Sequence, residues 1–261
     1  MAQSALRSTG TSPATYTINN HHTSFDLKMS WQAISEGISE ALRLILTIDR
    51  TVIEITFRSL TIASLATLLS TLIGLPLSLV ITMKEFPGKN TLKFIFNSLV
   101  GIPTVTLGLF LYTLLSRSGP LGSMELLYTV RGIALGQAIL ILPITVSFII
   151  SAIESKDEEL RDLTRTLGAS ELETSIAVLR EAYSGVSLAL VSSFNRAFAE
   201  LGIATMLGAN ISGLTRVLTT AIALETSKGE LGLSFALSFI LLLVVLFLNY
   251  VIRLLQGGLD S

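Results

Sequence analysis

Long uncharged apolar runs, a shortage of charge and an alternation of basic with less basic loops predict an all-α integral membrane protein with five transmembrane helices. Half of the 261 residues are hydrophobic and 14% are charged, against about 25% charged in an average soluble domain. The mean hydropathy is +0.69. Ser59–Met83, Phe94–Ser116, Gly132–Ile153 and Leu231–Ile252 carry no charge, and each is long enough to cross about 30 Å of hydrocarbon. A further span, fourth in chain order, is expected from Ala182 to about Leu207, interrupted by Arg196 and Glu200. Pro76, Pro103 and Pro143 fall within spans, where neighbouring helices can satisfy the freed carbonyls. No repeat of halves and no pair of broken helices is read from this pattern.

Residues 1–30 are rich in Ser and Thr and have no apolar run. They read as a polar, disordered tail rather than a cleavable signal peptide, which needs an apolar core. His21-His22 is a weak metal-binding pattern in such a tail, and disorder is the better reading. From Trp31 to Ile48, Ile34, Ile38, Leu42 and Ile45 recur at helical spacing among Glu36, Glu40 and Arg43. That predicts an amphipathic helix at the membrane interface, with its lead-in occupying residues 31–58. Glu54 and Arg58 are spaced to pair ahead of the first span.

Orientation follows from Lys and Arg in the short loops. Lys84–Lys93 holds three lysines, and Ser155–Ala182 holds Lys156, Arg161, Arg165 and Arg180. The opposite loops, Arg117–Arg131 and Gly208–Glu230, hold two basic residues each. The richer pair is expected in the cytoplasm, which places the N-terminus outside and the C-terminus inside. A net charge of −1 gives no bulk field for nucleic acid. The chain has no cysteine and only two histidines, both near the N-terminus, so no metal site or cofactor is expected.

The charged island between the third and fourth spans has its own organisation. Ser155-Lys156-Asp157-Glu158 and Ser170-Glu171-Leu172-Glu173 both fit the S-x-x-E capping box. Gly168 lies between them, suited to ending a helix in a left-handed conformation. Leu160, Leu163 and Leu167 share one face. Residues 155–181 therefore read as a helix-glycine-helix knob outside the bilayer, although the same pattern suits an ordinary amphipathic loop. Asp162-Leu163-Thr164-Arg165-Thr166-Leu167-Gly168-Ala169-Ser170 resembles the EAA loop of membrane subunits in binding-protein-dependent ABC importers. Leu163-Thr164 departs from the usual pair of alanines. Leu179-Arg180-Glu181 replaces the usual apolar residue and proline, a departure shared with the tungstate-type branch. The resemblance implies that Asp162, Arg165, Gly168, Ala169 and Ser170 form a coupling loop on a cytoplasmic ATPase subunit.

Charges at membrane depth cost roughly 2.5–3.5 kcal/mol each on insertion scales. Arg196 and Glu200, one turn apart, are thus either a mutually neutralising pair or part of a pore or gate. Asn195 and Gln137 are weaker pore candidates, since each can serve as an interhelical hydrogen bond. Beyond the fourth span, Gly208, Asn210 and Gly213 signal turns, and a short helix is expected from Thr215. The stretch NISGLTRVLTTAIALETSKG is similar to the corresponding part of tungstate-importer permeases, and RSGPLG at Arg117–Gly122 resembles a molybdate/tungstate-group loop. The likeness makes residues 59–254 the transmembrane domain and Asn210, Gly213 and Arg216 candidates for facing a binding protein. It implies an oxyanion permease, tungstate first and molybdate second, acting as a homodimer with two ATPase subunits and an extracytoplasmic binding protein. The chain has no G-x-x-x-x-G-K-[ST] phosphate loop, so ATP hydrolysis is expected on another subunit. A non-transporting membrane scaffold is the rival reading.

Overall fold

The computed structural model describes residues 21–47, 49–155, 166–168 and 170–257. Among them are ten α-helices, a 3-10 turn at Gly122–Met124 and no strand. The helices are α1 (His21–Leu46), α2 (Arg50–Met83), α3 (Lys89–Leu99), α4 (Thr104–Leu115), α5 (Val130–Glu154), α6 (Glu171–Glu181), α7 (Tyr183–Phe198), α8 (Gly202–Gly208), α9 (Leu218–Lys228) and α10 (Leu231–Gly257). Three of them, α2, α5 and α10, are long and apolar enough to cross a membrane singly.

The other two expected spans are interrupted. Phe94–Ser116 is divided between α3 and α4, which meet at 100°. Pro103 has an extended backbone at the bend; proline lacks an N–H and pushes the preceding residue away from helical angles. Gly101 adds freedom one step earlier. The Ala182–Leu207 span is broken at Ala199–Leu201, between α7 and α8. Pro76 and Pro143, by contrast, remain inside α2 and α5. Among the described residues the first interruption makes one bent span and the second leaves two short helices, so three to four spans stand where five were expected.

At the start of the chain, α1 begins at His21, ten residues before the expected amphipathic segment. Its buried stripe of Gly37, Ala41 and Leu44 faces the bundle. Gly37 sits so close to Phe235 and the Gly232 carbonyl of α10 that a Cβ there would collide with the Phe235 side chain. Lead-in and first span are one continuous helix, because α2 starts at Arg50, where the Asp49 carboxylate accepts the Val52 N–H at 3.0 Å. Glu54 pairs with Arg50 at 2.9 Å instead of Arg58. The Arg58 guanidinium is drawn away to the carbonyls of Arg216 and Gly213, at 2.9 and 3.0 Å.

The most buried of the long helices is α5, which packs against α2, α7 and α8. Ile133 and Ile141 of α5 are fully buried together with Ile203 and Leu207 of α8 and Leu218 of α9. Hydroxyls tie the layers together: Thr145 of α5 lies 2.8 Å from Ser70 of α2 and 2.8 Å from Ser193 of α7. The Tyr128 N–H donates to the Leu207 carbonyl at 2.7 Å, so the loops before α5 and after α8 gather near the start of α2. At the other end, Lys93 of α3 pairs with Glu154, the last residue of α5. Loops 84–93 and 155–170 therefore leave from one end of the bundle, the grouping that the basic residues suggested.

Candidate translocation path and coupling loop

The two interruptions lie side by side. At Gly202, the first residue of α8, a Cβ would stand 2.7 Å from Thr104 Oγ1 and 3.2 Å from Glu200 Oε1. Gly108 repeats this close approach, since a Cβ there would be 3.1 Å from Met206. Small residues thus let α4 and α8 run nearly in backbone contact, as interhelical packing in membranes favours. Glu200 explains why the chain breaks here. Its carboxylate accepts the Ile203 N–H at 3.1 Å and the Arg196 guanidinium, while its carbonyl accepts the Thr219 hydroxyl at 2.9 Å. A would-be mid-helix residue now lies just ahead of a new helix capped at Leu201, and its carboxylate satisfies one of that helix's opening N–H groups. Glu200 is 3% exposed and Arg196 about one third exposed, so the pair straddles the edge of the bundle. The one-turn spacing does bring these two charges together.

The weaker candidates separate. Asn195 donates to Asn249 of α10 at 2.9 Å, an interhelical bond whose acceptor sequence reading missed. An asparagine amid the apolar residues of α10 was the available signal. Asn195 Oδ1 is buried without a protein partner, as is Gln137 Oε1 on α5. Asn210 and Arg216 bind each other, Arg216 Nε donating to Asn210 Oδ1 at 3.2 Å. Asn210 also donates to the Thr220 carbonyl at 3.2 Å and holds a left-handed backbone. Gly213 has φ +75 and open space around it. Arg58, not singled out as a site residue, clamps this loop, and the buried Ser59 Oγ accepts the Leu218 N–H at 2.9 Å. Among the described residues, no group of three His, Asp or Glu side chains is placed to hold a metal.

Asp162, Arg165 and Ala169 of the coupling loop, with the Ser155–Glu158 capping box, lie outside the described residues in whole or in part. Gly168 adopts φ +80 in open space. The second capping box forms: the Ser170 N–H donates to Glu173 at 2.7 Å, and Ser170 Oγ accepts the Glu173 N–H at 3.3 Å. The Ser170 backbone amide, with its hydroxyl second, holds the Glu173 carboxyl below its ordinary value. Val178 and Ala182 are buried with Ile149 and Ile153 of α5, which fixes α6 to the end of the long helix.

Residues 48–261 match the model of the family described as binding-protein-dependent transport system inner membrane component. The chain is 39% identical over 202 residues to a probable anion ABC transporter permease protein of Haloferax volcanii, covering 76% of this chain and 87% of that one. It is 34% identical to the tungstate uptake system permease protein TupB of Peptoclostridium acidaminophilum, over 85% of this chain and 98% of the relative. A Campylobacter jejuni TupB is 35% identical over 85% of this chain and 93% of its own length. The apolar helices and the match over residues 48–261 agree, and the chain belongs to the family of binding-protein-dependent transport system inner membrane components.

Proposed function

We propose that this chain forms half of the membrane path of an ATP-driven oxyanion importer, with tungstate as its first substrate and molybdate as the alternative. The observation that carries the substrate is the end-to-end likeness to a tungstate permease, 98% of whose length is matched. The paired interruptions support the transport reading. Irregular backbone at membrane depth is tolerated only against protein or a water-filled cavity. The junction of Thr104, Glu200 and Gly202 is therefore suited to a pore between two copies of the chain, a closed symmetric arrangement.

In this reading a separate ATPase subunit docks on residues 155–181, using Asp162, Arg165, Gly168, Ala169 and Ser170. An extracytoplasmic binding protein meets the loop of Asn210, Gly213 and Arg216, and the N-terminus is extracytoplasmic. Glu200 is a poor ligand for a dianion, because like charges repel strongly in a low dielectric. Its part is to hold or gate the break, and anion contact falls to backbone, hydroxyls and Arg196. The test is ATP-dependent uptake into proteoliposomes holding this chain, its ATPase and its binding protein, with tungstate, molybdate and sulfate in competition. Tungstate uptake that molybdate competes with weakly is expected. Uptake of molybdate without tungstate would replace the substrate, and no ATP-dependent uptake of any oxyanion would leave the scaffold reading.

A further inference from the structure

Helix α3 is held to the bundle in an unusual way. None of its residues is buried; Leu92 and Phe96 are half-buried against a small cluster of Ile81, Val146 and Ile150. Two lysines add polar ties. Lys89 Nζ reaches the Thr82 carbonyl at 3.2 Å and Glu85 at 2.7 Å, both at the end of α2 or just beyond it. Lys93 pairs with Glu154, 61 residues away in sequence. Glu154 is the last residue of α5, and the chain passes directly from it into the 155–181 loop. The opposite end of α3 enters the 100° bend, beyond which Thr104 abuts Gly202, which the Glu200 carboxylate also approaches.

We propose that Lys93 and Glu154 form a charged joint that carries displacement of the 155–181 loop into α3, and through the bend to the break at Glu200. The inference rests on the importer reading, since it assigns how that loop would reach the pore. Two features of α3 suit it to this part. A helix with little burial can tilt as a body at small cost, because local stability follows buried apolar contact. An ion pair at the cytoplasmic end transmits a pull without requiring the apolar face to repack, whereas packed cores resist continuous deformation. Lys93 and Glu154 are positioning residues here, and no contact with the transported anion is assigned to them.

The experiment exchanges the charges in the complete complex. Lys93→Glu, Glu154→Lys and the double exchange are reconstituted with the ATPase and binding protein. Complex assembly, ATP hydrolysis and oxyanion uptake are measured on the same vesicles, and the readout is anion moved per ATP hydrolysed. Each single variant is expected to assemble yet lose about fivefold in that ratio, the low end of ordinary coupling between sites. The double exchange should recover most of it. A merely stabilising pair would change the amount of complex and leave the ratio intact, which overturns the proposal. Failure of the exchange to restore the ratio overturns it equally. If the unaltered complex hydrolyses ATP without moving any oxyanion, the importer reading falls and the joint falls with it; if it transports and the single variants match it, only the joint falls.

Discussion

Removing Glu200 tests whether the break is held by a neutralised pair. Glu200→Ala deletes the acceptor of the Ile203 N–H, a charge-assisted bond worth about 1.5–3 kcal/mol. It also strands Arg196. Breaking a buried pair costs about 3–5 kcal/mol, but Arg196 is 35% exposed and water recovers much of that. A loss of roughly 3 kcal/mol is expected for Glu200→Ala. Arg196→Ala strands a carboxylate that is 3% exposed, and a similar loss of roughly 3 kcal/mol is expected. With both removed no charge remains, so the double variant should fall about 2 kcal/mol short of the summed losses. Glu200→Gln should keep part of the Ile203 bond and lie between. The assay is reversible chemical unfolding in one fixed detergent across the four-member cycle, alongside uptake. Losses additive to within about 0.5 kcal/mol would refute the pair. Full uptake by Glu200→Ala would remove any gating part for that side chain.

Gly168→Val should insert normally yet lose ATPase association or stimulated uptake, because a β-branched residue resists the φ of +80 found there; normal uptake at normal expression would count against the coupling role. Since the chain has no cysteine, Ser12→Cys should react with an impermeant thiol reagent in intact cells and Ser155→Cys should not, and the reverse pattern would invert the proposed topology. The Glu173 cap should be pH-dependent in one direction. Its carboxyl is held below the ordinary value by Ser170, so its contribution is complete above the unfolded-state pKa and is lost as pH falls through the depressed one. Amide exchange in α6 should quicken over that acidic interval, and Glu173→Gln should abolish the dependence.

The sequence disclosed the long helices well and the interruptions poorly, for a physical reason. Uncharged runs report the solvent around a helix, so α2, α5 and most of α10 were legible from hydropathy. At the break, the Ile203 N–H donates to the Glu200 carboxylate from three residues on, but the Thr219 hydroxyl that donates to the Glu200 carbonyl comes from 19 residues away, beyond a single helical turn. Pro103 was visible, yet Pro76 and Pro143 stay helical, so proline alone did not distinguish a kink from a break. The Arg58 assignment failed similarly. Two glutamate–arginine spacings of four were available, and the Gly213 and Arg216 carbonyls, more than 150 residues away, decided which arginine was left for Glu54. The one-turn spacing of Arg196 and Glu200 allowed a pair without deciding between a pair and a gate lining, and the structure brings the two charges into contact.

The hydroxyl chain of Ser70, Thr145 and Ser193 has a consequence for how the bundle can slide. Thr145 lies 3.0 Å from the Ile141 carbonyl and Ser193 lies 2.9 Å from the Ala189 carbonyl, each on its own helix. Each hydroxyl has a single proton, so these two can turn either across the seam or back along their own helix. Shear between α5 and α7 can therefore exchange one partner for the other without stranding a buried donor, the outcome that ordinarily makes such a movement costly. An aliphatic seam of the same shape would offer no such second partner, and a seam of charged pairs would lock. Three small hydroxyls make this plane a lubricated one.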